Sequence, residues 1–266
     1  MELTNIDSVI SLLKKHGLYT KKHLGQNFLI DEEVLKEIVK TAKIEKSDHV
    51  VEIGPGLGVL TNELAKNAKK ITSVEIDGGL LPLLSETLKE HSNIEIINQD
   101  ALTFIPPKTP YKLTANIPYY ITSPLINHFL QSDNPPETIT ILIQKEVAEK
   151  ACKIEPKMSI LSLQIALFGK AELIKKIPPE AFFPAPKVES AIFNIIPNKK
   201  SDSNYIEKDE ALEILKLAKQ AFSQKRKKLS NTILRDIENS PIDPSLRPQA
   251  LSVKEWQKLN NFLNSQ

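Results

Sequence analysis

The stretch VVEIGPGLGVLTNEL, residues 50–64, has the pattern of a buried strand, a glycine turn and an amphipathic helix. Its glycines fall at 54, 56 and 58, a spacing that lets the backbone pass close to a ligand. The dinucleotide fingerprint needs its third glycine one place later, where this chain has Val59. The turn therefore indicates a site for a small ligand without specifying a pyrophosphate cradle.

Strand and helix patterns alternate outward from this turn, from about residue 48 to residue 150. Such alternation predicts an α/β fold with a doubly wound, parallel sheet and helices on both faces. The predicted strands are HVVEIG (49–54), KITSVEID (70–77), NIEIINQD (93–100), YKLTAN (111–116) and the start of TITILIQKEVAEK (138–150).

The later part of the chain gives a different pattern. ILSLQIALFGKAEL and SAIFNIIPN are predicted as further strands, separated by the proline-rich KIPPEAFFPAPKVES, which we expect to be an ordered loop. From about residue 205 onward the pattern is wholly helical. We therefore expect two domains, residues 1–200 and a small all-helical domain of residues 201–266.

Three predicted strands end in an acid at the same edge of the sheet. Glu52 precedes the glycine turn, Glu75 ends the second strand before Ile76, and Asp100 ends the third before Ala101. A carboxylate at the end of the second strand is where such folds bind ribose, because it accepts hydrogen bonds from two vicinal hydroxyls. Asp100 is then expected within reach of an adenine amine.

Each acid alone could be a helix cap or a surface charge. Together, beside a glycine turn that includes Gly54 and Gly56, they predict an adenosine-bearing ligand without a diphosphate. We favour S-adenosylmethionine over NAD, since the glycine spacing is wrong for NAD and no catalytic donor of an oxidoreductase is evident. The expected fold is therefore a class I methyltransferase, which is Rossmann-like.

The fourth predicted strand leads into a turn whose residues could take part in a reaction. Asn116 ends that strand, and doubly wound folds bind ligands beyond the carboxyl ends of their strands, so we expect Asn116 to face the reactive end of the cofactor. Its amide oxygen and the Ile117 carbonyl could accept both hydrogens of an aromatic amine, once Pro118 turns that carbonyl inward. Tyr119 offers a face on which a base can stack. The alternative is an Asx-type turn with a buried tyrosine, and Tyr120 is not distinguishable from a packing residue.

Composition excludes several classes of protein. Hydrophobic residues make up 41% and charged residues 26%, as in ordinary globular proteins. The single cysteine excludes an intramolecular disulfide, and no run approaches the roughly 18 apolar residues of a membrane span. The five histidines lack metal-ligand spacing. We expect a cytoplasmic protein without a metal site.

The NIPY sequence at 116–119 resembles the N-[LI]-P-Y motif of the ribosomal RNA adenine N6 methylases. Within that family the resemblance is closest to the small-subunit dimethyladenosine transferases, the kasugamycin-resistance methylases, whereas the erythromycin-resistance methylases act on large-subunit RNA. Other segments that resemble the family in order and spacing are HLGQNFLID (23–31), VEIGPGLGVLT (51–61), LIQKEVAEK (142–150), PPEAFFPAPKVESA (178–191) and FSQKRKKLSNTI (222–233).

The resemblance implies a function and further site residues. It implies transfer of methyl groups from S-adenosylmethionine to N6 of two adjacent adenines in the loop of the 3′-terminal helix of 16S rRNA, giving N6,N6-dimethyladenosines. It also implies that Gln26, Asn27 and Leu29 contact the cofactor from an N-terminal segment folded over it. Phe182, in the proline-rich loop, is implied as the second aromatic that stacks on the flipped adenine.

The net charge of +2 does not by itself predict a nucleic-acid partner. Charge runs are usually solvated faces, but beside a methyltransferase fold we expect them to meet phosphates. The basic residues assigned to RNA are Lys21, Lys22, Lys225, Arg226, Lys227 and Lys228. Residues 1–200 are then the methyltransferase domain with a basic N-terminal segment, and residues 201–266 bind the small ribosomal subunit. A monomer is expected.

Some positions depart from the family pattern, and two other functions stay open. The segment Met158–Ser162 lacks an arginine that is frequent in the family, and Tyr120 and Gly78-Gly79 replace other residues. One alternative is a non-catalytic ribosome-assembly factor. The other is methylation of DNA or of large-subunit RNA. DNA adenine methylases usually have proline directly after the asparagine, whereas Ile117 intervenes here.

Overall fold

The computed structural model describes residues 3–20 and 25–265. The predicted RNA contacts Lys21 and Lys22 lie outside the described residues. The helices are α1 Ile6–Lys15, α2 Glu32–Thr41, α3 Val59–Ala65, α4 Leu81–Thr87, α5 Thr122–Leu130, α6 Lys145–Ala151, α7 Ile160–Phe168, α8 Lys208–Phe222 and α9 Val253–Asn264. The strands are β1 Phe28–Leu29, β2 His49–Ile53, β3 Lys70–Glu75, β4 Ile94–Asn98, β5 Lys112–Asn116, β6 Ile139–Gln144, β7 Gly169–Ile177, β8 Phe182–Phe183 and β9 Ser190–Pro197.

Seven strands form one sheet in the order β4-β3-β2-β5-β6-β9-β7. The pairs β2–β3, β3–β4, β2–β5 and β5–β6 are parallel, and β9 is antiparallel to β6. From β2 the chain winds outward to β4 and then returns to β5 on the other side of β2. This reversal opens a crevice beyond the carboxyl ends of β2 and β5, where doubly wound folds bind ligands. The predicted doubly wound α/β fold is confirmed.

Side-chain caps and buried apolar stripes define the helices that cover the sheet. The Asp31 carboxylate accepts a hydrogen bond from the Val34 N–H at 3.0 Å and begins α2, as predicted. Asn5 begins α1 in the same way, through the Ser8 N–H. Both helices bury their apolar stripe in the core of the sheet. In the described part of the chain, no helix is both long and apolar enough to cross a membrane.

The chain folds into two compact units. The first comprises Met1–Ala148 and Glu172–Ile196 and carries the parallel strands. The second comprises Glu149–Ala171 and Pro197–Gln266 and contains α7, α8 and α9. The sequence pattern places a boundary near residue 200 but gives no sign of the earlier segment 149–171, which joins the second unit.

Residues 160–168 form α7, and β7 begins only at Gly169, so the prediction of a strand from residue 160 was wrong. A capping box begins the helix: the Ser159 hydroxyl accepts from the Ser162 N–H, and the Ser162 hydroxyl accepts from the Ser159 N–H. The segment ILSLQIALF is apolar at most positions. Its periodicity therefore does not separate a buried helix from a buried strand.

α8 ends at Phe222, although the sequence pattern predicts helix through Leu234. Turns follow, including a short 3-10 turn at Leu229–Asn231. The four consecutive basic residues from Lys225 to Lys228 are all exposed. Like charges at helical spacing repel, and no apolar face holds this stretch against a core. The basic cluster consequently lies in a turn.

The second unit has a hydrophobic core of its own. Trp256 of α9 is fully buried, and its ring stacks on that of Phe222 with centroids 6.2 Å apart. Leu163 of α7 and Ile214 of α8 belong to the same cluster. Helices α7, α8 and α9 thus contribute to one core, which explains why α7 belongs to this unit.

The capping box that begins α9 predicts a measurable effect on stability. The Ser252 hydroxyl accepts from the Glu255 N–H at 3.3 Å, and the Glu255 carboxylate accepts from the Ser252 N–H at 2.8 Å. Ser252→Ala removes the hydroxyl, so the free energy of unfolding should fall by about 1 kcal/mol. Urea unfolding followed by the fluorescence of Trp256 measures the change.

Ser223→Ala is the matched control. Ser223 is exposed just beyond the end of α8, and its hydroxyl donates to the Gln220 carbonyl. Exposed substitutions of this kind change the free energy of unfolding by less than about 0.5 kcal/mol. Equal losses for the two variants would contradict a capping role for Ser252.

Candidate active site

A cavity of about 260 Å³ lies at the carboxyl edge of the sheet, in the first unit. It occupies the crevice between the ends of β2 and β5 and extends to the end of β4. All but two of the predicted catalytic and cofactor residues line it: Gln26, Asn27, Leu29, Gly54, Gly56, Glu75, Ile76, Asp100, Ala101, Asn116, Ile117, Pro118 and Tyr119. The exceptions are Glu52 and Phe182.

The glycine turn after β2 forms one wall of the cavity. Gly54 and Gly56 have φ of +69° and +59°, in the left-handed region that favours glycine. A Cβ on Gly56 would lie 3.2 Å from the ring of Phe28, closer than an ordinary contact. A side chain here would press against Phe28, so glycine is needed both for the turn and for the space beside it.

Glu75 ends β3 and turns its carboxylate toward the glycine turn. Its Oε1 accepts from the Asp77 N–H at 2.8 Å, and its Oε2 accepts from the Gly56 N–H at 3.4 Å. Burial raises the pKa of this carboxyl, and the two backbone N–H groups oppose that rise. The remaining lone pairs of a carboxylate fixed in this way can accept two hydroxyls.

Asp100 lies at the far end of the cavity from the turn after β5. Its side chain is exposed, and Oδ1 accepts from the Leu102 N–H at 2.9 Å. That bond leaves Oδ2 to accept from a ligand amine. Ala101 and Gln99 line the cavity on either side of it.

The segment that precedes β1 folds over the cavity. The Gln26 amide donates to Asp77 Oδ2 at 3.1 Å. The Asn27 carbonyl accepts from the Asn116 amide at 3.2 Å. Gly25 packs so closely on Pro118 that a Cβ there would come within 3.1 Å of the proline Cβ. This N-terminal segment therefore contacts the ends of both β3 and β5.

Asn116 is the last residue of β5, and its amide has a defined orientation. Because Nδ2 donates to the Asn27 carbonyl, Oδ1 must point the other way. Among the described residues no hydrogen bond involves Oδ1, so this acceptor is available to a ligand. Two residues later, Pro118 has φ of −54° and ψ of 134°, and the chain has left the strand by this point.

Tyr119 begins a 3-10 turn, Tyr119–Ile121, and its ring is held at the hydroxyl. The hydroxyl lies 2.7 Å from Ser190 Oγ, at the start of β9, and Ser190 is fully buried. Burial raises the pKa of the Tyr119 hydroxyl, so it stays protonated near neutral pH. The hydrogen bond of the hydroxyl therefore fixes the orientation of the Tyr119 ring, which lines the cavity.

Glu52 does not face the cavity, contrary to the expectation that it contacts the ligand. Its side chain is fully buried, and Oε2 accepts from Thr61 Oγ1 and from Ser73 Oγ, each at 2.7 Å. Burial raises the pKa of Glu52 to about 7. The carboxyl thus ties β2 to α3 and β3, behind the glycine turn.

Phe182 also departs from expectation. It lies in β8, which pairs antiparallel with β1 so that Phe182 is opposite Leu29 and Phe183 is opposite Phe28. The alternation of side chains along a strand turns Phe182 into the core, where it is only 4% exposed, while Phe183 is half-buried. Phe182 therefore does not present its ring to the cavity.

Sequence reasoning misses some lining residues and leaves the role of Tyr120 open. The ring of Phe28 packs beside Gly56, and the exposed ring of Tyr120 lines the cavity. Leu57 and Leu102 close the apolar parts of the wall. Their position in the sequence could have indicated them, because each is adjacent to a residue that the motifs single out.

The predicted basic cluster from Lys225 to Lys228 is exposed in the second unit. The charged groups of Arg226 and its neighbours are therefore accessible to the phosphates of a nucleic acid. Among the described residues, no group of three or more histidine, cysteine, aspartate or glutamate side chains is arranged to hold a metal ion.

The sequence matches known proteins over most of its length. Residues 17–260 match the profile of a family described as ribosomal RNA adenine dimethylase. A curated relative from Clostridium botulinum, named ribosomal RNA small subunit methyltransferase A, is 37% identical over 95% of this chain and 97% of its own. A relative of the same name from Streptococcus thermophilus is 34% identical over 99% of this chain and 98% of its own.

Two solved structures are also similar. A dimethyladenosine transferase from Plasmodium falciparum has a TM-score of 0.77 and 27% identity, over 90% of this chain and 98% of that one. The 23S rRNA methyltransferase ErmE has a TM-score of 0.70 and 29% identity, over 90% of this chain and 100% of that one. These matches confirm the resemblance inferred from the NIPY and glycine-turn motifs.

Glu52 predicts a pH dependence of stability. Its pKa is raised from 4.5 to about 7, so the folded protein binds this proton more tightly than the unfolded chain does. Stability should therefore fall as pH rises from about 4.5 to about 7, by roughly 3 kcal/mol, and then level off. Glu52→Gln should remove this fall, which urea unfolding between pH 5 and pH 8 measures.

Glu90→Gln serves as the control, because Glu90 is exposed. Its unfolding free energy should follow the wild-type pH profile. The difference between Glu52→Gln and wild type should be small at pH 5 and grow toward pH 8. A constant difference across this range would show that folding does not raise the pKa of Glu52.

Proposed function

The chain belongs to the ribosomal RNA adenine dimethylase family, and from this premise we propose that it methylates N6 of two adjacent adenines in the loop of the 3′-terminal helix of small-subunit (16S) rRNA. S-adenosylmethionine is the methyl donor, and each adenine becomes N6,N6-dimethyladenosine during small-subunit biogenesis. The observation that carries the proposal is one cavity lined both by the glycine turn with Glu75 and by the segment from Asn116 to Tyr119.

Similarity supports small-subunit rRNA as the substrate. The relatives named ribosomal RNA small subunit methyltransferase A are 34% and 37% identical over 95% or more of this chain. ErmE, whose name specifies 23S rRNA, is 29% identical over 90% of it. We therefore favour the small subunit over the large one.

The lining of the cavity fits the cofactor. Glu75 would accept the two ribose hydroxyls, and Asp100 would accept from the adenine amine. Gly54 and Gly56 leave room for the ligand beside the backbone, and the segment from Gln26 to Leu29 would cover it. When bound, S-adenosylmethionine supplies a methyl group on a sulfonium sulfur, which N6 displaces to leave S-adenosylhomocysteine.

Asn116 and Ile117 would prepare the target amine. The N6 lone pair is delocalised into the adenine ring, so adenine N6 is a poor nucleophile. Acceptance of its two hydrogens by Asn116 Oδ1 and the Ile117 carbonyl favours a more pyramidal nitrogen and aims its lone pair. Most of the rate enhancement is then positioning, which supplies roughly 7–11 kcal/mol in favourable systems.

Tyr119 would hold the target base by stacking. Its ring, held through Ser190, provides a fixed aromatic face against which the flipped adenine stacks. The nitrogen gains positive charge as it reacts, and the aromatic face and the carbonyl dipoles stabilise that charge. The displaced proton leaves to water, so no strong base is required beside Asn116.

The partner proposed is the immature small ribosomal subunit. We propose that Lys225 to Lys228, together with Lys21 and Lys22, contact rRNA phosphates, which would make binding strongly salt-dependent. The helical C-terminal part, residues 201–266, would supply the larger share of that contact. We also propose, from the resemblance to this family, that the protein acts as a monomer in the cytoplasm.

Mass spectrometry of modified rRNA tests the function. Small subunits that lack the modification are incubated with this protein and labelled S-adenosylmethionine, and the rRNA is digested and analysed. We expect two adjacent N6,N6-dimethyladenosines near the 3′ end of 16S rRNA. Absence of dimethyladenosine, where a known dimethyltransferase modifies the same subunits, would rule the proposal out.

Asn116→Ala separates base recognition from cofactor binding. The variant should raise the Kd for S-adenosylmethionine only a few-fold, through loss of the bond to Asn27, while methyl transfer falls by a factor of about a hundred or more, because the amine loses a preorganised partner. Isothermal titration calorimetry and transfer of labelled methyl groups measure the two quantities. Glu75→Ala is the matched comparison, and it should weaken cofactor binding itself. Equal loss of binding and transfer in Asn116→Ala would show that its role is misassigned.

A further inference from the structure

Two consecutive tyrosines line the cavity, and they differ in surroundings. Tyr119 is half-buried, and its hydroxyl is bonded to Ser190. Tyr120 is 63% exposed. In the described part of the chain, the Tyr120 side chain makes no hydrogen bond and no ring contact. An exposed aromatic ring among the residues that line a ligand cavity is available to a ligand.

The geometry of the turn directs the two rings differently. Both residues belong to the 3-10 turn Tyr119–Ile121. A 3-10 helix has three residues per turn, so successive side chains point about 120° apart. The two rings therefore do not face the same side of one base. If Tyr119 supports the base inside the cavity, Tyr120 offers its face to something at the opening.

The other aromatic candidate does not supply that face. Phe182 is buried in the core and does not line the cavity. Ile76 is the other exposed large apolar residue of the lining, but it is aliphatic and offers no π-face. Tyr120 is thus the exposed aromatic ring of the cavity rim, as far as the described residues extend.

The substrate provides a partner for this ring. When one adenine leaves its stack and enters the cavity, the adjacent adenine loses a stacking neighbour. An exposed aromatic ring can replace that neighbour, and stacking tolerates any base. We propose that Tyr120 forms a stacking subsite for the adenine next to the one being methylated. This inference rests on the proposed function, because it requires two adjacent target bases.

The subsite has a consequence for the reaction. The adenine that waits on Tyr120 is held beside the cavity that it must enter next. Tyr120 is therefore a specificity-determining residue for the adjacent pair, and its loss should weaken recognition of the subunit more than it slows transfer. The KM for small subunits should rise, while kcat changes little.

Three variants distinguish stacking from packing. Tyr120→Phe keeps the aromatic face and should stay within about twofold of wild type. Tyr120→Leu keeps apolar bulk without the face, and Tyr120→Ala removes both. Stacking on a single aromatic ring predicts that the KM for unmodified small subunits rises about tenfold in both of the latter. Kinetics use the full-length protein, and urea unfolding confirms that each variant folds.

The outcomes separate this inference from the proposed function. Activity of Tyr120→Leu equal to that of Tyr120→Phe would assign a packing role and overturn the subsite. A parallel rise in the Kd for S-adenosylmethionine would assign Tyr120 to the cofactor, and it would also overturn the subsite. Wild-type kinetics in all three variants would do the same while leaving the methyltransferase function intact. Inactivity of the wild-type protein on the adenines would overturn both proposals together.

Discussion

The hydrogen bond from the Asn116 amide to the Asn27 carbonyl is the constraint on which the site depends. A terminal amide torsion is broad, so the side chain alone does not fix which atom faces the cavity. Once Nδ2 is bonded to Asn27, Oδ1 is left as an acceptor. The same N-terminal segment reaches Asp77 through Gln26 and packs Gly25 on Pro118. The part of the chain that would cover the cofactor therefore also orients the group that would receive the base.

Sequence patterns predict much of this arrangement because two simple rules apply. Alternating strands and helices imply a doubly wound sheet, and the carboxyl ends of its parallel strands meet at one edge. Glu75, Asp100 and Asn116 are far apart in the chain, yet strand-end position alone brings them to one cavity. The family motif then adds Asn27, whose place over the cavity depends on a contact between residues that are 89 positions apart.

The positions that differ from expectation depend on which face of a strand a side chain occupies. A central parallel strand is buried on both faces, so the sequence around Glu52 does not reveal which face it takes. The structure turns it toward Thr61 and Ser73. Phe182 and Phe183 are adjacent aromatics in a two-residue strand, and only the long-range pairing with β1 decides which of them points into the core.

Glu52, behind the glycine turn, and Glu75, beside it, carry carboxyls with different surroundings. Glu52 is buried among two hydroxyl donors, its Oε1 has no hydrogen-bond partner among the described residues, and burial raises its pKa to about 7. Glu75 lies close enough to contribute to that rise. Burial also raises the pKa of Glu75, but the N–H groups of Asp77 and Gly56 favour its ionised form. Two ionised carboxylates in one partly buried site would repel each other, so a protonated Glu52 lowers the cost of charge on Glu75. Of the two carboxyls, it is Glu75 that lines the cavity and would meet the ribose hydroxyls of the cofactor.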